Sequence, residues 1–491
     1  MNASRPPRGL GLLVFLAPFC LYLKTMAPTV YGLDSAELAT GAWTLGIIHS
    51  PGRPLFLLVG HLFTWLPLGD VGWRVNLVSV VAGALTAWFV YAMVSRLTGK
   101  LWIGVATAWL LAASYYIWVW AVVAELYAPH LCIVTAILWL AVKWIDIRDD
   151  RLLGSAALLT GLGMGNHTSL ILIVPGLAWL VLASEPRLWR QPPRILIPAA
   201  LGIAAFVAVF LYLPLRHMAN PPVDFVRDYF PEKDLSSVGG WFWMVRGGMF
   251  DSLFFSVTPA QAFDHLRRLV LQVAANFGVA ACLLALLGLA VSLAGPAPRR
   301  RFAIACLLWF ACHSGFYIAY GALDNAWMYS VSYLIVALGF ALGLDFMDRR
   351  SPLAGIPLRA AAALLVASLA FFNHGFADLG RDDSARRTGE RILAVMEPRA
   401  LFIGMWEHVP ILEYLQVVEG RRGDVRLVNG VFIGPSGSAH LARQAFARGH
   451  PVYTTATNLF DRSFATTPIP EGLCYRVARG NPNSDASLTR P

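Results

Sequence analysis

Between Tyr31 and Pro54 the chain places two carboxylates, an imidazole and a guanidinium in one short segment: Asp34, Glu37, His49 and Arg53. An ionised carboxylate can take a proton from an attacking hydroxyl. A guanidinium beside an imidazole can hold a phosphate and the charge that develops as it leaves. Asp34 with Ser35 also reads as a helix N-cap, and Glu37 as the return half of a capping box, so that both carboxylates would serve backbone N–H groups. Spacing alone leaves both readings open. An apolar amphipathic helix and the turn His49-Ser50-Pro51-Gly52-Arg53-Pro54 follow, directly after a long apolar run, which favours chemistry at a membrane surface.

Further polar residues stand where apolar runs end on the same side: Arg74, Glu125 with Tyr127, Asn166 with His167, Arg216 with His217, and Asp324 with Asn325. A charge in hydrocarbon costs about 2.5–3.5 kcal/mol or more, so residues held in such short loops are expected to converge on an aqueous cavity. Each taken alone also reads as an interhelical hydrogen bond, and Arg74 as a headgroup anchor. His167 has no second ligand at helical spacing, and no metal or other cofactor is expected. In the segment 215–268, Asp224, Arg227, Trp241, Trp243 and Arg246 read either as a surface for a sugar or as an interfacial helix with its Trp belt at the headgroups, the second being the more ordinary arrangement.

The elements that must position these groups are apolar. At 57% hydrophobic and 14% charged, the 491 residues are too apolar for one soluble core, so bilayer is the expected solvent. The net charge of +10 lies in short clusters between apolar runs, which orientation on a membrane explains without nucleic acid. Six cysteines, five of them inside apolar runs, offer no disulfide or metal spacing. Runs of the length that crosses about 30 Å of hydrocarbon predict eleven spans, near 9–28, 75–95, 101–119, 129–145, 152–165, 169–184, 195–214, 269–294, 302–320, 329–347 and 358–373. The first is read as a retained helix rather than a cleaved signal. With the N-terminus cytoplasmic, Arg5/Arg8, Arg96/Lys100, Lys143/Arg148/Arg151, Arg187/Arg190/Arg194, Arg299–Arg301 and Arg349/Arg350/Arg359 fall inside, whereas the loops 120–128, 166–168 and 321–328 carry no Lys or Arg.

The chain therefore divides into a transmembrane part, residues 1–373, with external loops 29–74 and 215–268, and an external part, residues 374–491. The latter alternates short strands and helices, as in a small α/β domain with a disordered tip. No internal repeat is visible, which weighs against an inverted-repeat transporter.

The stretches Asp34-Ser35-Ala36-Glu37-Leu38, His49-Ser50-Pro51-Gly52 and Trp73-Arg74-Val75-Asn76-Leu77 resemble a bacterial membrane family related to the transmembrane protein O-mannosyltransferases. The resemblance continues through Val123-Ala124-Glu125-Leu126-Tyr127 and Gly163-Met164-Gly165-Asn166-His167. It reappears in Tyr414-Leu415-Gln416 and Glu419-Gly420-Arg421-Arg422-Gly423-Asp424-Val425. Arg53 stands where members often carry Tyr, and Gly423 where Pro is frequent. The resemblance implies a polytopic GT-C type glycosyltransferase of the inner membrane. Such an enzyme moves a hexose, for example mannose, from a polyprenyl-phosphate donor to an extracytoplasmic protein or glycan. It implies Asp34 as general base, with Glu37 beside it, and Arg53, His49 and Arg74 as candidates for the donor phosphate. Glu125, Tyr127, Asn166, His167 and Arg216 are expected to line the substrate site. The alternative is a transporter or flippase of lipid-linked sugars that uses the same cavity.

Overall fold

Inside a bilayer a backbone must satisfy its own N–H and C=O groups, and the apolar runs accordingly form helices. The computed structural model describes residues 8–322, 325–350, 355–461 and 463–480. Arg5, Asp324 and the expected C-terminal tip lie outside the described residues, as does the side chain of Asn325.

The first half of the bundle comprises α1 (Arg8–Thr25), α2 (Asp34–Thr44), α3 (Pro54–Thr64), α4 (Val71–Thr98), α5 (Leu101–Ala112), α6 (Tyr115–Ala121), α7 (Tyr127–Ile147), α8 (Asp150–Met164) and α9 (Val174–Ser184). Then come α10 (Pro193–Phe210), α11 (Tyr212–Met218), α12 (Phe225–Tyr229), α13 (Val238–Val245), α14 (Pro259–Phe277), α15 (Val279–Ala294), α16 (Ala297–Ile318), α17 (Ser330–Arg350) and α18 (Gly355–Ala377). Among the described residues, six are long and apolar enough to cross a membrane, counting α10 with α11 as one, and two bent pairs raise the number to eight. That is fewer than eleven. The runs at 9–28, 152–165 and 169–184 give helical stretches of 15 to 18 residues, which at 1.5 Å per residue reach only about 22–27 Å. The run 269–294 is not one rod: it breaks at Gly278 (φ 79°), where α14 and α15 diverge by 108°. The run 101–119 bends by 72° between α5 and α6.

Close helix contacts depend on small residues. A Cβ at Gly288 of α15 would meet the Gly339 carbonyl oxygen at 2.2 Å and the Gly343 nitrogen at 2.3 Å, so the Gly339-x-x-x-Gly343 ridge of α17 admits only glycine there. At the arginine-rich end of the bundle, the buried Asp345 binds Lys100 at 3.2 Å, Arg349 at 3.0 Å and Arg299, while Arg96 pairs with Asp146 and Arg194 with Asp150, each at 2.6 Å. The polar loop ends gather at the opposite end.

The tail follows as α19 (Ser384–Val395), β1 (Leu401–Gly404), α20 (Val409–Glu413), β2 (Arg426–Asn429), α21 (Gly430–Ala447), β3 (Val452–Thr454), β4 (Phe464–Ile469) and β5 (Cys474–Arg479). Its sheet has the order β2-β1-β3-β5-β4, with β2, β1 and β3 parallel and β4 and β5 an antiparallel edge that the sequence reading did not contain. The tail is bolted to the bundle. Tyr414 Oη accepts from the Gly72 N–H at 2.9 Å, and Arg386 joins Asp70 (3.2 Å) to Glu419 (2.7 Å).

Candidate active site

α2 begins at Asp34, but the expected capping box does not form. Residue 33 occupies the cap position, no side chain caps the helix, and both carboxylates turn elsewhere. Glu37 is buried and binds His49 twice, accepting from its backbone N–H at 2.9 Å and from Nδ1 of the ring. His49 Nε2 then lies 3.9 Å from Asp34 Oδ2, while Asp34 Oδ1 accepts from Trp406 Nε1 at 2.9 Å. Burial by itself would lower the His49 pKa, but the charges of Glu37 and Asp34 and the hydrogen bond to Glu37 outweigh it and the net shift is upward.

Asp34 and His49 line a cavity of about 750 Å³ with Arg53, Glu125, Tyr127, His167, Phe250, Tyr317 and Trp406. Arg53 stands at the start of α3, its guanidinium buried and its Nε without a hydrogen-bond partner among the described residues. Burial lowers its pKa, opposed by Asp34, Tyr127, Tyr317 and Glu125. A buried cation facing a cavity beside an ionisable carboxylate suits an anionic ligand with a hydroxyl-bearing one next to it.

Seven of the residues singled out in the sequence thus share this cavity: Asp34, His49, Arg53, Glu125, Tyr127, His167 and Arg246, with Glu37 behind them. Arg74, Arg216 and Asn166 do not line it. Arg74 donates to the carbonyls of Leu68 (2.7 Å), Thr64 (2.8 Å) and Gly69 (3.0 Å), closing the turn after α3. Arg216 caps the end of α2 through Leu45 O (2.6 Å) and Thr44 O (3.2 Å). Asn166 braces Leu126 O at 3.1 Å. These carbonyls are orphaned at helix and turn ends, and a nearby donor satisfies them before any substrate does. Asp224 is buried against His217 (2.7 Å) and Arg227 (3.0 Å), and neither Trp241 nor Trp243 reaches the cavity.

Trp406, Val431 and Phe432 come from the tail, and sequence reasoning missed them. The available signal was their position: each follows the carboxyl end of a parallel strand, where open α/β sheets present residues to ligands. Asp34, Glu37 and His49 also bring their ligand atoms within 4.8 Å of one another, close enough to hold a metal ion. A search at helical spacing does not find this set, because the imidazole arrives from a loop.

Residues 34–190 match the protein O-mannosyl-transferase TMEM260 N-terminal domain, a match that starts at Asp34 itself. Over that segment the chain is similar to the protein O-mannosyl-transferases. It is 30% identical over 210 residues to the mouse protein O-mannosyl-transferase TMEM260 and 24% identical over 220 residues to its Dictyostelium discoideum counterpart. Each alignment covers 41% of this chain, and the chain spans 29% and 27% of the length of those relatives. Among solved structures, ArnT from Cupriavidus metallidurans bound to undecaprenyl phosphate superposes with a TM-score of 0.56 at 14% identity, covering 96% of this chain and 97% of ArnT. The apo form of ArnT gives 0.53, covering 91% and 92%. At that identity the likeness shows the fold alone: an ArnT-like, multi-pass helical membrane protein with a small C-terminal sheet domain.

Proposed function

We propose that this chain is a membrane glycosyltransferase that moves a hexose, mannose or a relative of it, from a polyprenyl-phosphate donor to a hydroxyl of an extracytoplasmic protein or glycan. The observation that carries this reading is Asp34 and the buried Arg53 on the wall of one cavity. The acceptor hydroxyl attacks the anomeric carbon as Asp34 takes its proton, and the bond from that carbon to the phosphate oxygen breaks. Arg53 stabilises the charge left on the departing lipid phosphate. Glu37 and His49 stand behind Asp34 and supply a second proton site.

An apolar groove of about 450 Å³ between α8, α9 and α10 adjoins the cavity and shares Met164, Ile171 and Phe206 with it. Such a groove fits the chain of a polyprenyl donor while its phosphate reaches Arg53, in line with the undecaprenyl phosphate bound by the structural relative. The test is Asp34→Asn in protein shown to be inserted and folded. Release of polyprenyl phosphate from synthetic polyprenyl-phosphate mannose should be abolished, since a carboxamide keeps the shape but takes no proton. Wild-type turnover in this variant removes Asp34 as the base.

A further inference from the structure

We infer that Trp406 is a positioning residue for Asp34, so that the site is complete only with the tail seated on the bundle; this rests on Asp34 being the proton acceptor. The indole N–H reaches Asp34 Oδ1 at 2.9 Å across 372 residues of sequence. Asp34 lines the cavity, and its Oδ2 lies 3.9 Å from His49 Nε2, beyond hydrogen-bond distance. One oxygen is therefore anchored and the other is presented to the substrate. A carboxylate fixed this way does not need to rotate into place when the hydroxyl arrives.

The indole is itself immobilised. It stands edge-on to the His49 ring, with centroids 5.2 Å apart and planes at 84°, and edge-on to Phe432 at 5.3 Å and 87°. His49 is held in turn by Glu37. Trp406 comes two residues after β1, which lies between β2 and β3 in the parallel part of the sheet. The connection from β1 runs to β2 on one side and that from β2 crosses to β3 on the other, so the carboxyl ends of β1 and β3 flank a topological switch point, the crevice that open α/β sheets use for ligands. Val431 and Phe432, following β2 at the same end, also line the cavity. The tail thus meets the bundle with its ligand-facing end. Packing alone needs only an aromatic ring; holding Asp34 needs the N–H.

The two roles separate in Trp406→Phe, which keeps a ring without the donor, and Trp406→His, which restores an N–H. Both are made in the full-length enzyme in membranes carrying its native acceptors, with polyprenyl phosphate release from synthetic polyprenyl-phosphate mannose as the readout. Loss of one charge-assisted hydrogen bond at the base should lower kcat about tenfold in Trp406→Phe and leave the donor KM within about twofold. Trp406→His should recover part of that kcat loss. Wild-type kcat in Trp406→Phe, a loss confined to KM, or equal loss of kcat in both variants overturns the positioning role. Asp34→Asn run alongside keeps the two readings apart: full turnover there removes the base assignment itself, whereas an inactive Asp34→Asn beside an unaffected Trp406→Phe removes only the role of Trp406.

Discussion

Glu37 holds both the backbone and the ring of His49, and that double contact fixes which ring nitrogen faces Asp34. Because the net effect of burial and the carboxylates is to raise the His49 pKa, the protonated ring is favoured by folding. That contribution is fully present below about pH 6.5, the free imidazole value, and is lost as pH rises through the higher folded value. Glu37→Gln should therefore lower thermal stability more at pH 6 than at pH 9, measured by unfolding scans in detergent. An equal loss at both pH values would mean that Glu37 acts on His49 only as a packing partner. Arg53 and Arg74 separate in the same way at the level of turnover. Arg53→Ala should raise the donor KM by about tenfold or more and Arg53→Lys by less, since an ammonium cannot bind two phosphate oxygens. Arg74→Ala should leave the donor KM unchanged and cost about 1 kcal/mol of stability, the scale of a lost hydrogen bond to a carbonyl.

At the scale of elements, α20 lies against α2, and Glu413 at its end is partly buried near Glu37 and Asp228. Burial first, then those two carboxylates, push its pKa up to about 8. Folding therefore favours the protonated acid. The stability this gives is full below about pH 4.5 and disappears as pH rises through about 8. Glu413→Gln should dock the tail more firmly than wild type at pH 9 and similarly at pH 6, read as resistance to proteolysis between α18 and α19. No difference at pH 9 would place Glu413 in solvent. Within the bundle, Gly288→Val should lower stability by about 1–3 kcal/mol or prevent insertion, because the new side chain meets the α17 backbone rather than a side chain that could move.

For the whole molecule, the tail is not a separate module beside the site: Trp406, Val431 and Phe432 form part of the cavity wall. Truncation after Gly380 should therefore lower turnover even with a small acceptor; undiminished turnover would return the tail to a purely recruiting role. The arginine clusters meet at one end of the bundle and the cavity opens at the other, so alkaline phosphatase fused to the C-terminus should be active and a cytoplasmic reporter silent. The reverse pattern would move the cavity to the cytoplasmic face.

Hydropathy runs and arginine clusters are local properties, and they were enough to establish a polytopic helical protein with a polar first loop and a small α/β tail. Asp34, His49 and Arg53 were legible because they lie within twenty residues of one another beside an apolar run. Glu125 and His167 were legible because polar groups ending short loops have few places to go. What the sequence could not decide was which donors would be spent on carbonyls, as Arg74, Arg216 and Asn166 are, since that depends on which helix ends lie beside them. The continuity of two spans was overestimated for the same reason: apolar composition does not reveal the breaks at Gly278 and after Ala112. The contact of Trp406 with Asp34 belongs to tertiary structure alone. No periodicity links residues 372 positions apart, and only the docking of a sheet end onto the bundle brings the indole to the carboxylate.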